Sequence, residues 1–130
     1  MPVVRITLLK GKPREYLAAV SKSIYDALRE QFVLSEGDLF HIFEQMEPST
    51  FIFDRNFISK EARTDDFMII QVVADARREA EKSATFKAIC EKLGASPGVK
   101  PQDITVVLST NSTLEDFSLG YGISNITLAG

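Results

Sequence analysis

The chain has 130 residues, 45% of them hydrophobic and 25% charged, enough for one domain that buries most of its apolar surface. Its net charge of −3 argues against a nucleic-acid binder, which carries a basic face, and apolar runs such as Phe67–Val73 are too short to cross a bilayer. The single cysteine, Cys90, excludes an internal disulfide and, with only His41 beside it, a zinc cluster; with no secretion signal visible, a reducing, cytoplasmic setting is expected.

Pro2 follows the initiator methionine directly. Aminopeptidases remove methionine before a small residue, which leaves proline as a terminal secondary amine. The reference value for such an amine is about 7.7–8.0, and burial or a nearby cation lowers it because both disfavour the charged form. A terminal proline is therefore a candidate general base, general acid or nucleophile near neutral pH. Residues 3–9 alternate Val4, Ile6 and Leu8 against Val3, Arg5 and Thr7, the period of a half-buried strand. Gly11-Lys12-Pro13 ends it, and Pro13 suits the first turn of a helix. From Arg14 to Gln31, Leu17, Val20, Ile24 and Leu28 recur at helical spacing. A turn at Ser35-Glu36-Gly37 then leads to a strand over Leu39–Gln45.

The same order returns about 65 residues later. Phe67–Val73 reads as a strand, and Arg77–Leu93 as a helix with Phe86, Ile89, Cys90 and Leu93 on one face. Gly94 stands as its stop, and Ile104–Leu108 reads as the next strand. Asp38 and Asp103 each precede a second strand. The chain thus divides into repeat one (2–46), a connector rich in Phe and charge (47–65), repeat two (66–110) and a tail (111–130) that could add edge strands. Two β-α-β units, each a parallel pair by the right-handed crossover rule, give an α/β (α+β) fold: a four-stranded sheet with two helices on one face. The other face has apolar residues without a partner in the chain, which predicts a homo-oligomer. Cys90 reads as apolar filler and His41 as structural rather than a base.

The whole chain resembles the tautomerase superfamily, and within it the malonate semialdehyde decarboxylase branch. The likeness rests on P-V-V-R-I at the start, G-D-L-F at 37–40, R-T-D-D-F-M-I-I-Q-V-V-A-D-A-R over 63–77, and D-F-S-L-G-Y-G over 116–122. It implies a homotrimer with the terminal proline as catalyst; separately, the sequence has no phosphate loop, metal-ligand spacing or dinucleotide fingerprint, so no cofactor or metal is expected. The likeness further implies that Asp38 orients or activates water and that Arg77 holds the carboxylate of a small anionic oxo-acid, for which a guanidinium's fork of donors is suited. Phe40, Phe117 and Leu119 stand where the family walls its active site; core packing is their competing role. The branch has a first arginine where this chain has Asp75, which enters the substrate-binding set as a departure and is also a candidate N-cap for the second helix.

The resemblance implies a cofactor-independent isomerase or lyase: a keto–enol tautomerase if Pro2 is neutral, a decarboxylase or hydratase if it is charged. A non-catalytic trimeric binding or signalling member is the alternative. A third reading is an unrelated ferredoxin-like regulator, set apart by an antiparallel join of its middle strands.

Overall fold

The computed structural model describes residues 2–75 and 79–124. The first strand, β1, spans Val3–Leu9 and turns Val4, Ile6 and Leu8 into the core. Helix α1 spans Arg14–Phe32, and Val20, Ile24 and Leu28 on its inner stripe are fully buried, as their spacing requires. It ends on Val33 in the left-handed region (φ 54°), whose N–H donates to the Arg29 carbonyl. Strand β2, His41–Met46, starts two residues later than its apolar pattern suggests, because Leu39 and Phe40 belong to the approach from the turn.

The second unit repeats this with β3 (Met68–Asp75), α2 (Glu79–Ala95) and β4 (Ile104–Ser112). Thr85, Ala88, Ile89 and Leu93 form the buried stripe of α2. Phe86 and Cys90, expected on that face, instead sit at its rim: Phe86 is exposed and Cys90 half-buried, together lining a groove with Ile104 and Val106. They are left there because β4 is the sheet's edge and no further strand among the described residues covers them. Gly94 does not stop α2, which runs on to Ala95. The reversal falls at Gly98 (φ 105°), a backbone angle glycine adopts without strain, and the Gly98 and Val99 N–H groups both donate to the Leu93 carbonyl. β4 continues four residues past the expected Leu108, because Ser109–Ser112 keep a backbone ladder after the apolar alternation has faded. The tail forms a 3-10 turn at Leu114–Asp116 and is irregular to Ser124; the expected edge strands do not form among the described residues, and 125–130 lie outside them.

The sheet order is β2-β1-β3-β4. The pairs β1–β2 and β3–β4 are parallel, and β1–β3 is antiparallel. An antiparallel middle junction therefore does not single out an unrelated regulator. Two like units related by a two-fold axis bring their first strands together head to tail, so this fold has that junction too. Both helices lie on one face: the Ser23 hydroxyl on α1 donates to the Ser96 carbonyl just beyond α2 at 2.5 Å. The opposite face carries Ile42, Val73 and Val107, which remain 43%, 40% and 47% exposed, beside an Arg5–Glu44 ion pair. No helix among the described residues is long and apolar enough to cross a membrane.

The connector is tightly built. Phe51, Phe53 and Phe67 stack within 4.5–5.9 Å between ring centres, with Arg55 over Phe53 and Arg63 over Phe67. The Thr64 N–H and hydroxyl both donate to the buried carboxylate of Asp103, at 2.7 and 2.6 Å. Asp103 thus does more than enter a strand: it fastens the connector to repeat two.

Candidate active site

Four strand ends meet at one end of the sheet. β1 and β2 begin there, while β3 and β4, running the other way, finish there. Val4 lies opposite His41, Val3 opposite Val73, and Asp75 opposite Ser112. Carried one residue back, these registers set Pro2 between Leu39 and Ala74. Pro2 is buried, and the Val4 N–H donates to the Phe40 carbonyl at 2.9 Å, which fixes the start of β1 against the approach to β2.

Asp38 ends the turn that delivers β2. Its N–H donates to the Ser35 carbonyl at 3.2 Å, and Gly37 beside it holds φ 83°. The Gly37 N–H also meets the Tyr25 hydroxyl at 3.3 Å, tying the turn to α1. The turn role and the site placement therefore coincide: Asp38 is half-buried and one residue from the neighbour of Pro2. Asp75, also half-buried, is the last residue of β3. It pairs with Ser112 of β4 beyond an irregularity at Val73–Asp75, and its expected place as N-cap of α2 falls where the helix start lies outside the described residues. Arg77, two residues on in sequence, lies outside the described residues, as does the expected start of the helix there.

Phe40 and Leu119 are exposed, which removes core packing within the chain as their role; Phe117 is half-buried. The segment 117–119 leaves β4 at the same end through the Leu114–Asp116 turn, where the Thr113 N–H donates to the Asp116 carboxylate at 2.8 Å. His41 faces α1 instead, with Nδ1 2.8 Å from the Ser21 hydroxyl. Burial lowers its pKa to about 4, so the ring is neutral near pH 7 and structural, as its place in the alternation suggests. Ser112 joins this end through its pairing with Asp75, and sequence reading missed it; a serine beyond the last apolar alternation gives no signal.

One end of the sheet thus gathers a buried proline, a half-buried aspartate and several exposed apolar side chains. The chain matches a tautomerase family, described as "Tautomerase enzyme", over residues 38–120, and a second of the same description over residues 2–60. It belongs to the tautomerase superfamily. It is 30% identical to the probable tautomerase YusQ of Bacillus subtilis (strain 168) over 94% of this chain and 95% of that protein. Among solved structures it resembles malonate semialdehyde decarboxylase, in its wild-type, mutant and inactivated forms, with a TM-score of 0.89 at 20% identity, over 98% of this chain and 97% of the other. It also resembles the FG41 malonate semialdehyde decarboxylase inhibited by 3-bromopropiolate, with a TM-score of 0.86 at 29% identity, over 98% and 95% of the two chains. The protein is accordingly a tautomerase-superfamily enzyme, an isomerase or decarboxylase, whose fold is similar to that of malonate semialdehyde decarboxylase.

Proposed function

We propose that this protein is a cofactor-independent enzyme in which Pro2, freed of the initiator methionine, is the acid–base group acting on a small anionic oxo-acid. The observation that carries this reading is the burial of Pro2 at the sheet end that Asp38 and Asp75 share. Arg77 holds the substrate carboxylate and offsets charge developing on the carbonyl oxygen, the electrostatic help that lowers an enolisation barrier. With Pro2 neutral, the amine removes a proton from the carbon beside the carbonyl and returns it at the other terminus of the enolate, a keto–enol tautomerisation. With Pro2 charged, Asp38 takes a proton from water as its oxygen bonds to the carbonyl carbon and the Pro2 cation gives its proton to the carbonyl oxygen, completing hydration; or that cation polarises the carbonyl while carbon dioxide departs and then protonates the enolate carbon left behind.

Asp75 stands where the decarboxylase branch carries an arginine, which favours a substrate other than malonate semialdehyde as the natural one. Three copies are proposed to bury the open sheet faces around Ile42, Val73 and Val107, with Phe40, Phe117 and Leu119 walling the pocket, in a cytoplasmic setting. The test is to assay phenylenolpyruvate ketonisation and malonate semialdehyde consumption with wild type and Pro2→Ala, after intact-mass measurement of the amino terminus. Equal rates for the two proteins in both assays, or a retained methionine in the active enzyme, would remove the reading.

A further inference from the structure

The two-fold relation between the repeats creates a counterpart of the active-site end at the opposite end of the sheet. Laying the β1–β2 ladder on β3–β4 puts His41 on Val106 and Val4 on Ile70, and hence Pro2 on Met68. Asp38 then falls on Asp103. Lys12 lies two residues before α1, and Arg77 follows it in sequence by the same 65 positions that separate Asp38 from Asp103. The far end thus carries a strand start, an aspartate and a cation together.

The ends differ in what lies outside the strand start. Into Met68 the chain runs directly from the connector through Asp66 and Phe67. The carboxylate of Asp66 binds the Lys12 ammonium, which also lies 4.8 Å from the centre of the Tyr16 ring. The Thr64 hydroxyl donates to Asp103, and the Asp66 N–H donates back to that hydroxyl at 3.1 Å. A carboxylate on the cation and an O–H on the aspartate match the substrate carboxylate and the water proposed for the Pro2 end. An open cavity of about 280 Å³ remains beside the pair; its charged border is Lys10, Lys12, Asp65 and Asp66, with Lys10 paired to Glu47 and Asp65 to Arg55.

We infer that the far end of the sheet is a latent carboxylate-binding site, which the chain closes by lending Asp66 to Lys12 as an internal ligand. The choice of probe rests on the proposed function; the frame itself rests on the geometry. Its physical basis is simple competition: an ammonium held by a tethered carboxylate at high effective concentration does not exchange it for a free one in solution. With that carboxylate removed, the same donors face a cavity large enough for a three-carbon diacid.

The experiment uses malonate as probe and follows backbone amide shifts of Gly11, Lys12 and Tyr16 in nitrogen-15 spectra. In wild type these far-end signals are expected to stay still across a malonate titration. In Asp66→Ala they are expected to move and saturate with a Kd on the order of 1 mM, the affinity of a single good ion pair with a little packing. Adding Lys12→Ala to that variant is expected to weaken the response at least about tenfold. Asp66→Asn keeps the side-chain shape without the anion and guards against a collapsed loop, so it is expected to respond as Asp66→Ala does. Still far-end signals in both folded single variants, or a response indifferent to Lys12, overturn the inference. Signals of Val3 and Leu39 report the Pro2 end separately, so failure there leaves the far-end result standing.

Discussion

Asp38 and Asp103 occupy equivalent places in the two repeats, yet the geometry assigns them opposite burdens, and alanine at each position separates these. Asp103 is fully buried and accepts two short hydrogen bonds, from the Thr64 N–H at 2.7 Å and its hydroxyl at 2.6 Å. Hydrogen bonds to a charged partner contribute about 1.5–3 kcal/mol each. The hydroxyl of half-buried Thr64 rotates toward solvent when its acceptor is lost, whereas its N–H is left unmatched. Asp103→Ala is therefore expected to cost about 3–4 kcal/mol. For a chain of this size that lowers Tm by roughly 10–15 °C. Well below the new transition, kcat/KM should stay within about threefold of wild type, since an unmoved active site leaves the barrier unchanged. Asp38→Ala should lower turnover at the Pro2 end by about 100-fold or more, the size of a lost general acid–base step, at temperatures where the variant remains folded. Differential scanning calorimetry and steady-state kinetics on both variants decide it. An Asp103→Ala protein that is stable but inactive, or an Asp38→Ala protein whose activity loss merely tracks its unfolding, refutes the assignment.

Asp75→Arg restores the guanidinium of the decarboxylase pattern and is expected to raise malonate semialdehyde consumption by about tenfold or more, as an added ion pair to the carboxylate permits; an unchanged or lower rate, measured by coupled assay, counts against the substrate argument. Val107→Asp places a charge on the exposed sheet face and is expected to shift the mass in sedimentation from three copies to one; an unaltered mass means this face does not join the copies. His41, neutral and held at about 4 by burial, binds a proton in the unfolded chain at its ordinary 6.5 before it does so folded. Its stabilising contribution is thus complete above pH 6.5 and is lost as pH falls toward 4, so the urea midpoint should decline across that window. His41→Gln should flatten the decline, and an equally steep slope in the variant would show that other groups cause it.

The strands and helices were legible because most bury one face: Val4, Ile6 and Leu8 at period two, and Val20, Ile24 and Leu28 at helical spacing, are the same residues the core closes on. The errors fall where burial stops being the signal. β4 outruns its apolar alternation on backbone pairing alone, and Phe86 follows the helical period but meets the uncovered edge of the sheet. At the candidate site, Pro2 and Asp38 were legible from position and motif, and the structure brings them to one end. The placement of Ser112 depends on strand register, which no local pattern in this chain encodes.

The difference between the two sheet ends follows from chain connectivity rather than from residue choice at the sites themselves. A repeat written twice in one polypeptide has only one free amino terminus. The second strand start must be reached by a connector, and that connector passes through the space a ligand would need. Once it does, any carboxylate or hydroxyl it carries meets the cation and aspartate already built into the frame. Asp66 and Thr64 are such groups, and their bonds to Lys12 and Asp103 make the far end part of the scaffold. Deleting the connector's side-chain contacts one at a time should therefore erode stability without touching chemistry at Pro2. Any variant in this set that changed kcat before it changed Tm would show that the two ends are coupled through the sheet.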